Sequence, residues 1–337
     1  MWDEVKDFVE LPICEPIYST YHFQGAAGAI LVKNPTVRNW YLNEVMILQC
    51  NRKFLNGYTT PEINIVSSYL HENPYILRQA YPTRFIKGHL NAVIKNMLDE
   101  GYYVLYIGID DYYIKGKSWY KKRHFDHDGL ICGYDQKDKT FSIFAYDENW
   151  IYKKFKTPQK CLEQGRRSTF KRSYNGRIAA LSVKPDPVDL NPELICKKLR
   201  EYLDSSLGKY PTYTDDVAYG IVVHDYIAMY LDKLYDGSIP HSRMDWRVFR
   251  LIWEHKRVMF ERLRAVEEVL GLPHDLSESY FSLVKDADHM RMLYAAYHIK
   301  ERKTTLTAIK KRLLRLKNQE KKILQRFVET VEKELGK

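Results

Sequence analysis

The sequence changes character at Pro185-Asp186-Pro187, and this change constrains the fold more than any other feature. Before it lie short runs rich in aromatic and β-branched residues, a composition typical of strands. These runs cover residues 101–114, 129–135, 140–147 and 176–185. After it, apolar residues recur at the spacing of amphipathic helices. The sequence therefore predicts an α+β domain with an antiparallel sheet in residues 1–187, followed by a helical domain in residues 188–337.

Helices are predicted in both parts of the chain from apolar periodicity and capping residues. The first domain has helices at residues 34–54, with a stop signal at Gly57, and at 89–98. The second has helices at residues 191–203 and from Asp245 to Gly271. A last helix carries apolar residues at near-heptad spacing, namely Leu306, Ile309, Leu313, Leu316, Ile323 and Phe327.

The net charge of +10 is concentrated at one end of the chain. Residues 300–337 hold 13 Lys and Arg residues against 5 Asp and Glu residues, which accounts for most of the excess. Proteins that bind nucleic acid usually spread basic residues over a binding face, so no nucleic-acid partner is expected. The basic helix is interpreted either as a solvated face or as a surface that meets an acidic partner or a membrane surface.

Composition and cysteine usage narrow the class of protein further. Apolar residues make up 45% of the chain and charged residues 28%, as in folded globular proteins. No run of about 18 apolar residues is present, so no membrane span is expected. The five cysteines contain no Cys-x-x-Cys pair, which argues against a disulfide framework or a structural zinc site. We therefore expect a cytoplasmic protein without a metal or cofactor.

The most informative segment for chemistry is residues 118–147. His127 stands just before one predicted strand, and Asp147 ends the next. An antiparallel hairpin can bring the two together, where the carboxylate would hold the imidazole in one tautomer and stabilise its protonated form. The alternative is that both are ordinary polar residues at strand ends. His124 and Asp126 crowd the same segment, but their spacing matches no strong zinc pattern.

This segment also carries a resemblance. HFDHDGLICGYD followed by FSIFAYD resembles the His-strand-Gly-Tyr-Asp-strand-Asp region of papain-like folds of the bacteriocin-processing peptidase type. With Asp111-Tyr112-Tyr113-Ile114 and Trp253-Glu254-His255-Lys256, the chain resembles the family of the N-terminal domain of butirosin biosynthesis protein H. The resemblance implies a papain-like domain and an acyltransferase or amide synthase of specialised metabolism. Such an enzyme moves an acyl or peptidyl group from the phosphopantetheine thioester of a carrier protein to a small amine acceptor.

The mechanism that this resemblance implies needs a cysteine at a helix N-terminus, where the helix dipole lowers the thiol pKa. The matching helix is expected at residues 34–54, and Trp40 stands about where the cysteine should be. Cys50 lies in the second half of that helix, where the dipole disfavours a thiolate. Cys14, in a loop before the helix, is therefore the candidate nucleophile, and Gln24 is a candidate oxyanion donor. The other cysteines, Cys132, Cys161 and Cys196, are expected in the core.

Several alternatives stay open. His127 and Asp147 could act as a general base without a thiol, or the chain could be a degenerate relative that only binds a carrier protein or an intermediate. A true peptidase is the weakest interpretation, because no cysteine occupies the expected position. Asp110 and Asp111, at a predicted strand end, could receive the acceptor amine or simply end the strand. The many tyrosines near them, from Tyr102 to Tyr120, suit a partly wet pocket or reflect strand propensity.

Overall fold

A computed structural model describes residues 6–57, 59–68, 70–86, 90–172, 176–206 and 216–336 of the chain. Within these residues the fold is α+β. The strands are β1 (Phe8–Glu10), β2 (Leu48–Asn51), β3 (Asn64–Ile65), β4 (Ile76–Pro82), β5 (Tyr103–Asp110), β6 (Asp126–Asp135), β7 (Thr140–Tyr146), β8 (Tyr152–Pro158), β9 (Arg177–Val183) and β10 (Val217–Tyr219). The helices are α1 (His22–Ala29), α2 (Val37–Glu44), α3 (Leu90–Asp99), α4 (Gln159–Arg172), α5 (Pro192–Leu203), α6 (Val223–Asp236), α7 (Arg247–Leu270), α8 (Asp275–Lys300) and α9 (Lys303–Glu334).

The chain divides into two compact units, and neither is continuous in sequence. The first consists of Met1–Val37 and Tyr69–Pro187, and the second of Arg38–Ser68 and Val188–Lys337. The first unit differs from the predicted domain 1–187 by the segment Arg38–Ser68, whose contacts lie with the later part of the chain.

The first unit is built on an antiparallel sheet in the order β4-β9-β5-β6-β7-β8. The long strand β6 is the centre of this arrangement, because it pairs with β5 and β7 and, at its end, with β1. Helices α3 and α4 bury apolar side chains against the sheet, and this core includes Ile94 of α3, Leu162 of α4, and Val104 and Ile131 of the sheet. Burial of such a face is the main favourable contribution to folding. The predicted antiparallel sheet is confirmed.

One predicted element is wrong. The helix expected at residues 34–54 ends at Glu44, and the chain continues as β2. Strand β2 pairs with β3 on one side and, on the other, with β10, which lies more than 160 positions away. Local propensity is a weak guide where such tertiary pairing is available.

The second unit is mainly helical, as predicted, and its three longest helices are α7, α8 and α9. In the described part of the chain, no helix combines the length and the apolar character needed to cross a membrane. Arg262 of α7 is fully buried and donates hydrogen bonds to the carbonyls of Leu42 (2.6 Å), Tyr41 (3.1 Å) and Val45 (2.9 Å). These bonds tie α7 to the last turn of α2 and to the residue that follows it.

A buried ion pair lies among these helices. The ammonium of Lys256 on α7 is 2.8 Å and 2.7 Å from the two carboxylate oxygens of Glu320 on α9, and neither side chain is exposed. The hydroxyls of Tyr202 and Tyr280 also donate to this carboxylate. Burial would raise the pKa of Glu320, but the Lys256 charge holds it below its usual range, so the carboxyl stays ionised.

Candidate functional site

His127 lies near the start of β6, opposite Ile109 of β5. Its Nδ1 is 3.1 Å from Oδ2 of Asp111, which follows the end of β5 in a single turn of 3-10 helix. The Asp111 side chain is 1% exposed, whereas that of His127 is 25% exposed. A buried carboxylate thus contacts one ring nitrogen and leaves the ring accessible from solvent, which is the arrangement of an oriented general base.

Asp111 is held in a charged and partly unsatisfied environment. The ammonium of the buried Lys117 is 3.7 Å from its Oδ2 and donates to the backbone oxygen of Asp128 at 2.9 Å. Burial lowers the pKa of Lys117, while attraction to Asp111 and Asp128 opposes the shift. Oδ1 of Asp111 and the hydroxyl of Tyr106 are buried without a hydrogen-bond partner in the described residues. Buried polar atoms of this kind usually bind water or a ligand.

A second histidine faces the first. His22 is the first residue of α1 and is 8% exposed. Its ring centroid lies 4.1 Å from that of His127 in an edge-on contact, and the rings of Tyr146 and Tyr152 are 5.2 Å and 5.6 Å away. Neither ring nitrogen has a hydrogen-bond partner within the described chain. Burial, and then the charges of Lys117 and His127, hold the pKa of His22 well below its usual range, so the ring is neutral at pH 7.

Two glycines permit the close packing of this cluster. A Cβ at Gly25 of α1 would lie closer than 3.0 Å to the ring of Tyr152, and a Cβ at Gly129 of β6 would lie closer than 3.0 Å to the hydroxyl of Tyr106. Contacts this short are far inside van der Waals distance, so both tyrosines keep their positions only opposite glycine. Tyr152 in turn packs against the ring of His22, with 5.6 Å between the ring centroids.

Asp147 does not contact His127, although both residues are described. Its Oδ1 accepts the backbone N–H groups of Asn149 (2.8 Å) and Ile151 (2.9 Å), and its Oδ2 is 2.8 Å from the ammonium of Lys153. Burial would raise the pKa of Asp147, but Lys153 and these N–H groups hold it below its usual range. Asp147 therefore stabilises the turn between β7 and β8, and the carboxylate next to His127 is Asp111 instead.

The cysteines lie away from the histidine pair or are unreactive by burial. Cys14 Sγ lies 3.3 Å from the carbonyl oxygen of Gly28 and 3.5 Å from that of Ala29, at the C-terminal end of α1. His22 begins this helix, and six to seven residues of helix span about 10 Å. The carbonyl end of a helix also disfavours a thiolate. Burial raises the pKa of Cys50 to about 12 and that of Cys132 to about 12.

The remaining cysteines and Trp40 lie in helices other than α1. Cys161 and Cys196 are buried in α4 and α5. Trp40 lies in α2, whereas the helix whose N-terminus meets His127 is α1. The residue at the N-terminus of α1 that contacts His127 is His22. Gln24 follows on the same helix and is buried.

A second carboxylate–histidine pair lies beside the first. Asp110 is fully buried, and its Oδ2 is 2.7 Å from Nδ1 of His124 and accepts the hydroxyl of Ser168 at 2.6 Å. Arg172 of α4 lies 3.2 Å from the same oxygen. Burial would raise the pKa of Asp110, but the bonds from Ser168 and His124 hold it below its usual range. This network joins β5 to α4 and to the segment before β6.

The solvent side of His127 is lined by aromatic rings. Phe125 is 5.0 Å from the His127 ring, and Trp119 lies 6.3 Å from Phe125 and 6.0 Å from Trp150. Phe125 is 38% exposed and Trp150 is 42% exposed. Arg123 stacks on Trp119, and Lys121 lies over Tyr112 at 5.0 Å. These residues form a rim in which apolar rings alternate with exposed cations.

No group of three or more His, Cys, Asp or Glu side chains within the described ranges is arranged to hold a metal ion. The comparison with known proteins adds no relative: no family model matches the sequence, and no curated protein matches it. The geometry of the site is therefore the basis for its chemistry.

Proposed function

We propose that the chain is an acyltransferase of the amide-synthase type that uses a histidine base and no cysteine nucleophile. The observation that carries the proposal is the His127–Asp111 pair, in which a buried carboxylate holds a partly exposed imidazole. The helix N-terminus that faces His127 carries His22 where a papain-like enzyme of this kind would carry cysteine. The papain-like arrangement and the membership of specialised metabolism are part of this proposal and rest on the resemblance described above.

In the proposed reaction, a primary amine attacks the carbonyl carbon of an acyl thioester. His127 accepts the proton that the amine nitrogen loses as the C–N bond forms, and Asp111 stabilises the imidazolium. When the C–S bond breaks, His127 returns this proton to the leaving thiolate. The products are an amide and a thiol, and no other reactant is consumed. The neutral ring of His22 is available to donate a hydrogen bond to the carbonyl oxygen as negative charge develops there.

The rim suggests how a carrier-bound donor would be held. Trp119, Phe125 and Trp150 offer apolar surface to a long thioester arm, and Lys121 and Arg123 offer positive charge to an acidic carrier protein.

The basic helix α9 is a weaker docking surface than its sequence indicates. Its cations are partly neutralised within the second unit, through the ion pairs Lys310–Asp232, Arg312–Asp286 and Lys317–Asp225.

The first test is aminolysis of a short acyl N-acetylcysteamine thioester by a primary amine, followed by chromatography of the amide. We expect His127→Ala and Asp111→Asn to lower the rate by about 100-fold or more, the usual contribution of general base catalysis. His124→Ala is the matched control, since it removes another histidine paired with a buried aspartate, and its rate should stay within about two-fold of the unsubstituted protein. Turnover that survives His127→Ala would overturn the proposal.

Two further variants test the absence of a thiol nucleophile and the arrangement around α1. Cys14→Ala should leave the rate unchanged, and a loss there would instead identify Cys14 as the nucleophile. His22→Cys should create a thiol that iodoacetamide alkylates rapidly, and His127→Ala should slow that alkylation. An introduced thiol that stays inert, in a protein with unchanged circular dichroism, would contradict the papain-like arrangement.

A binding role is the second candidate, and one observation favours it. Both nitrogens of His22, Oδ1 of Asp111 and the hydroxyl of Tyr106 are buried without partners among the described residues, as in a site that awaits a small polar ligand. A non-catalytic relative would bind a carrier-linked intermediate there. Thioester binding detected by calorimetry, with no amide formed by the unsubstituted protein, would decide for this role and against acyl transfer.

A further inference from the structure

Strand β4 is an exposed edge of the sheet. Among the described strands it pairs with β9 alone. Its apolar side chains are unusually open to solvent, since Leu77 is 51% exposed and Tyr81 is 44% exposed, and Phe85 just beyond the strand is 68% exposed. An edge of this kind presents unpaired backbone groups and apolar surface together, and it is a template for pairing with another strand.

The opposite edge of the same sheet is protected in the usual way. Strand β8 carries Lys153, Lys154 and Lys156 within seven residues, and exposed lysines of this density discourage pairing with another chain. Strand β4 has the same length but a single charge, at Arg78. The contrast indicates that the β4 edge can pair with another strand, whereas the lysines of β8 disfavour such pairing at the other edge.

The register of β4 against β9 shows which backbone groups point outward. The carbonyl of Tyr75 accepts from the N–H of Lys184, and the N–H of Thr83 donates to the carbonyl of Gly176. Because hydrogen-bonded pairs alternate along an antiparallel ladder, the odd-numbered residues of β4 face β9. The N–H and C=O groups of Arg78 and Ala80 therefore point away from the sheet.

These outward groups are self-complementary. In an antiparallel pair of two β4 strands centred on Gln79, Arg78 of each copy lies opposite Ala80 of the other, and the two residues exchange backbone hydrogen bonds. Leu77 lies opposite Tyr81, an aliphatic–aromatic cross-strand pair that occurs twice by symmetry. No like charges are opposed. Pro82, which has no N–H, ends the ladder at the last residue of the strand.

We propose that the chain forms a two-fold symmetric dimer through β4, which joins two seven-stranded sheets into one continuous sheet. The contact is isologous, because each copy contributes the same β4 edge. The other edge of each sheet among the described strands, β8, is protected by lysines, so the assembly closes at two copies. A single strand pair buries less area than the roughly 1,200–2,000 Å² of stable interfaces. The dimer is therefore weak, with a dissociation constant on the order of 10 µM.

The test is sedimentation equilibrium of the full chain at concentrations from about ten-fold below to ten-fold above that constant. The weight-average mass should rise from the monomer value of 40.1 kDa towards twice that value. Ala80→Pro removes an outward N–H without touching the β4–β9 ladder, and Leu77→Lys adds a charge to the pairing face. Both should keep the chain monomeric at every concentration.

Met292→Lys is the matched control, because Met292 is 55% exposed on α8 and receives the same new charge. It should dimerise like the unsubstituted chain. A chain that is monomeric throughout, or a dimer that survives both β4 substitutions, would overturn the proposal. So would a dimer that Met292→Lys abolishes, since the contact would then lie on the helical unit. Melting temperatures of all variants verify that they are folded.

Discussion

The buried ion pair of the second unit gives the most quantitative prediction. Lys256 and Glu320 are fully buried, with the ammonium about 2.7 Å from the carboxylate. At an effective dielectric constant of about 20, two unit charges at this distance attract by roughly 6 kcal/mol, and most of this offsets the cost of desolvating both groups. Lys256→Met removes the attraction but leaves the desolvated carboxylate. We expect the free energy of unfolding to fall by about 3–5 kcal/mol.

A second variant separates lost attraction from lost packing. In Lys256→Met/Glu320→Gln the carboxylate is replaced by a neutral amide that can still accept from Tyr202 or Tyr280. The double variant should therefore be more stable than Lys256→Met alone, and the non-additivity should be on the order of 1–3 kcal/mol. No such recovery is expected if the lysine mattered only through its packed methylene groups.

Urea unfolding followed by circular dichroism at 222 nm measures these free energies in the transition that carries the helical signal. Lys310→Met is the matched control, because Lys310 contacts Asp232 at 2.6 Å on the surface, where the side chains are 36% and 53% exposed. An exposed pair contributes about 0–1 kcal/mol. If Lys256→Met costs no more than Lys310→Met, or if the double variant is no more stable than Lys256→Met, the reasoning is refuted.

Two further predictions concern the same unit. Burial and the Lys256 charge lower the pKa of His224 to about 4. Between pH 6.5 and 4 the unfolded chain therefore binds a proton that the folded chain does not. The free energy of unfolding should fall by about 3 kcal/mol as the pH drops through this window. The urea midpoint measured against pH should fall less steeply for His224→Gln, and an unchanged slope would contradict this assignment. Arg262→Met should cost about 2–4 kcal/mol because three hydrogen bonds from a buried guanidinium to backbone carbonyls are lost. Arg264→Met, at a pair in which both side chains are 56% exposed, should change stability by less than about 1 kcal/mol. Equal losses for the two arginines would show that Arg262 contributes only packing.

The sequence predicted the elements whose signal is local. The strands ending in Asp135 and Tyr146 follow from apolar runs separated by a polar turn, and the helix after Asn191 follows from its cap, whose side chain accepts the N–H of Leu194. The helix expected through Cys50 was wrong for the opposite reason. Leu48–Asn51 is a strand because it pairs with β10, far along the chain, and periodicity in a short window carries no such information.

Part of the geometry around His127 follows from the sequence. His127 was identified from its place before a strand, but its partner is Asp111 rather than Asp147. The sequence spacing of the hairpin predicts the strand register but not the conformation of the turn after β7. The backbone N–H groups of that turn donate to the Asp147 carboxylate, which is therefore not available to His127. Asp111 could have been found by pairing β5, which it follows, with β6, near whose start His127 lies, because Asp110 is opposite Asp126 in that pair.

His22 was missed because its neighbours in space are more than 100 residues away in sequence. The available signal was the helix HFQGAAGA itself, in which small residues allow large rings to approach closely. Such a helix with a histidine at its first position is a useful pattern to examine in other chains.

The interleaved division of the chain has a consequence for its biosynthesis. Arg38–Ser68 is made before most of the first unit, yet it belongs with Val188–Lys337. At about 5–20 residues per second, this segment leaves the ribosome roughly 10–50 seconds before the last helix that completes its unit. Until β10 has been made, β2 can pair with β3 inside the same segment, but its other edge lacks the strand that covers it in the folded unit. The first unit, by contrast, is complete once Pro187 has emerged, so it can fold before the later part of the second unit has been translated.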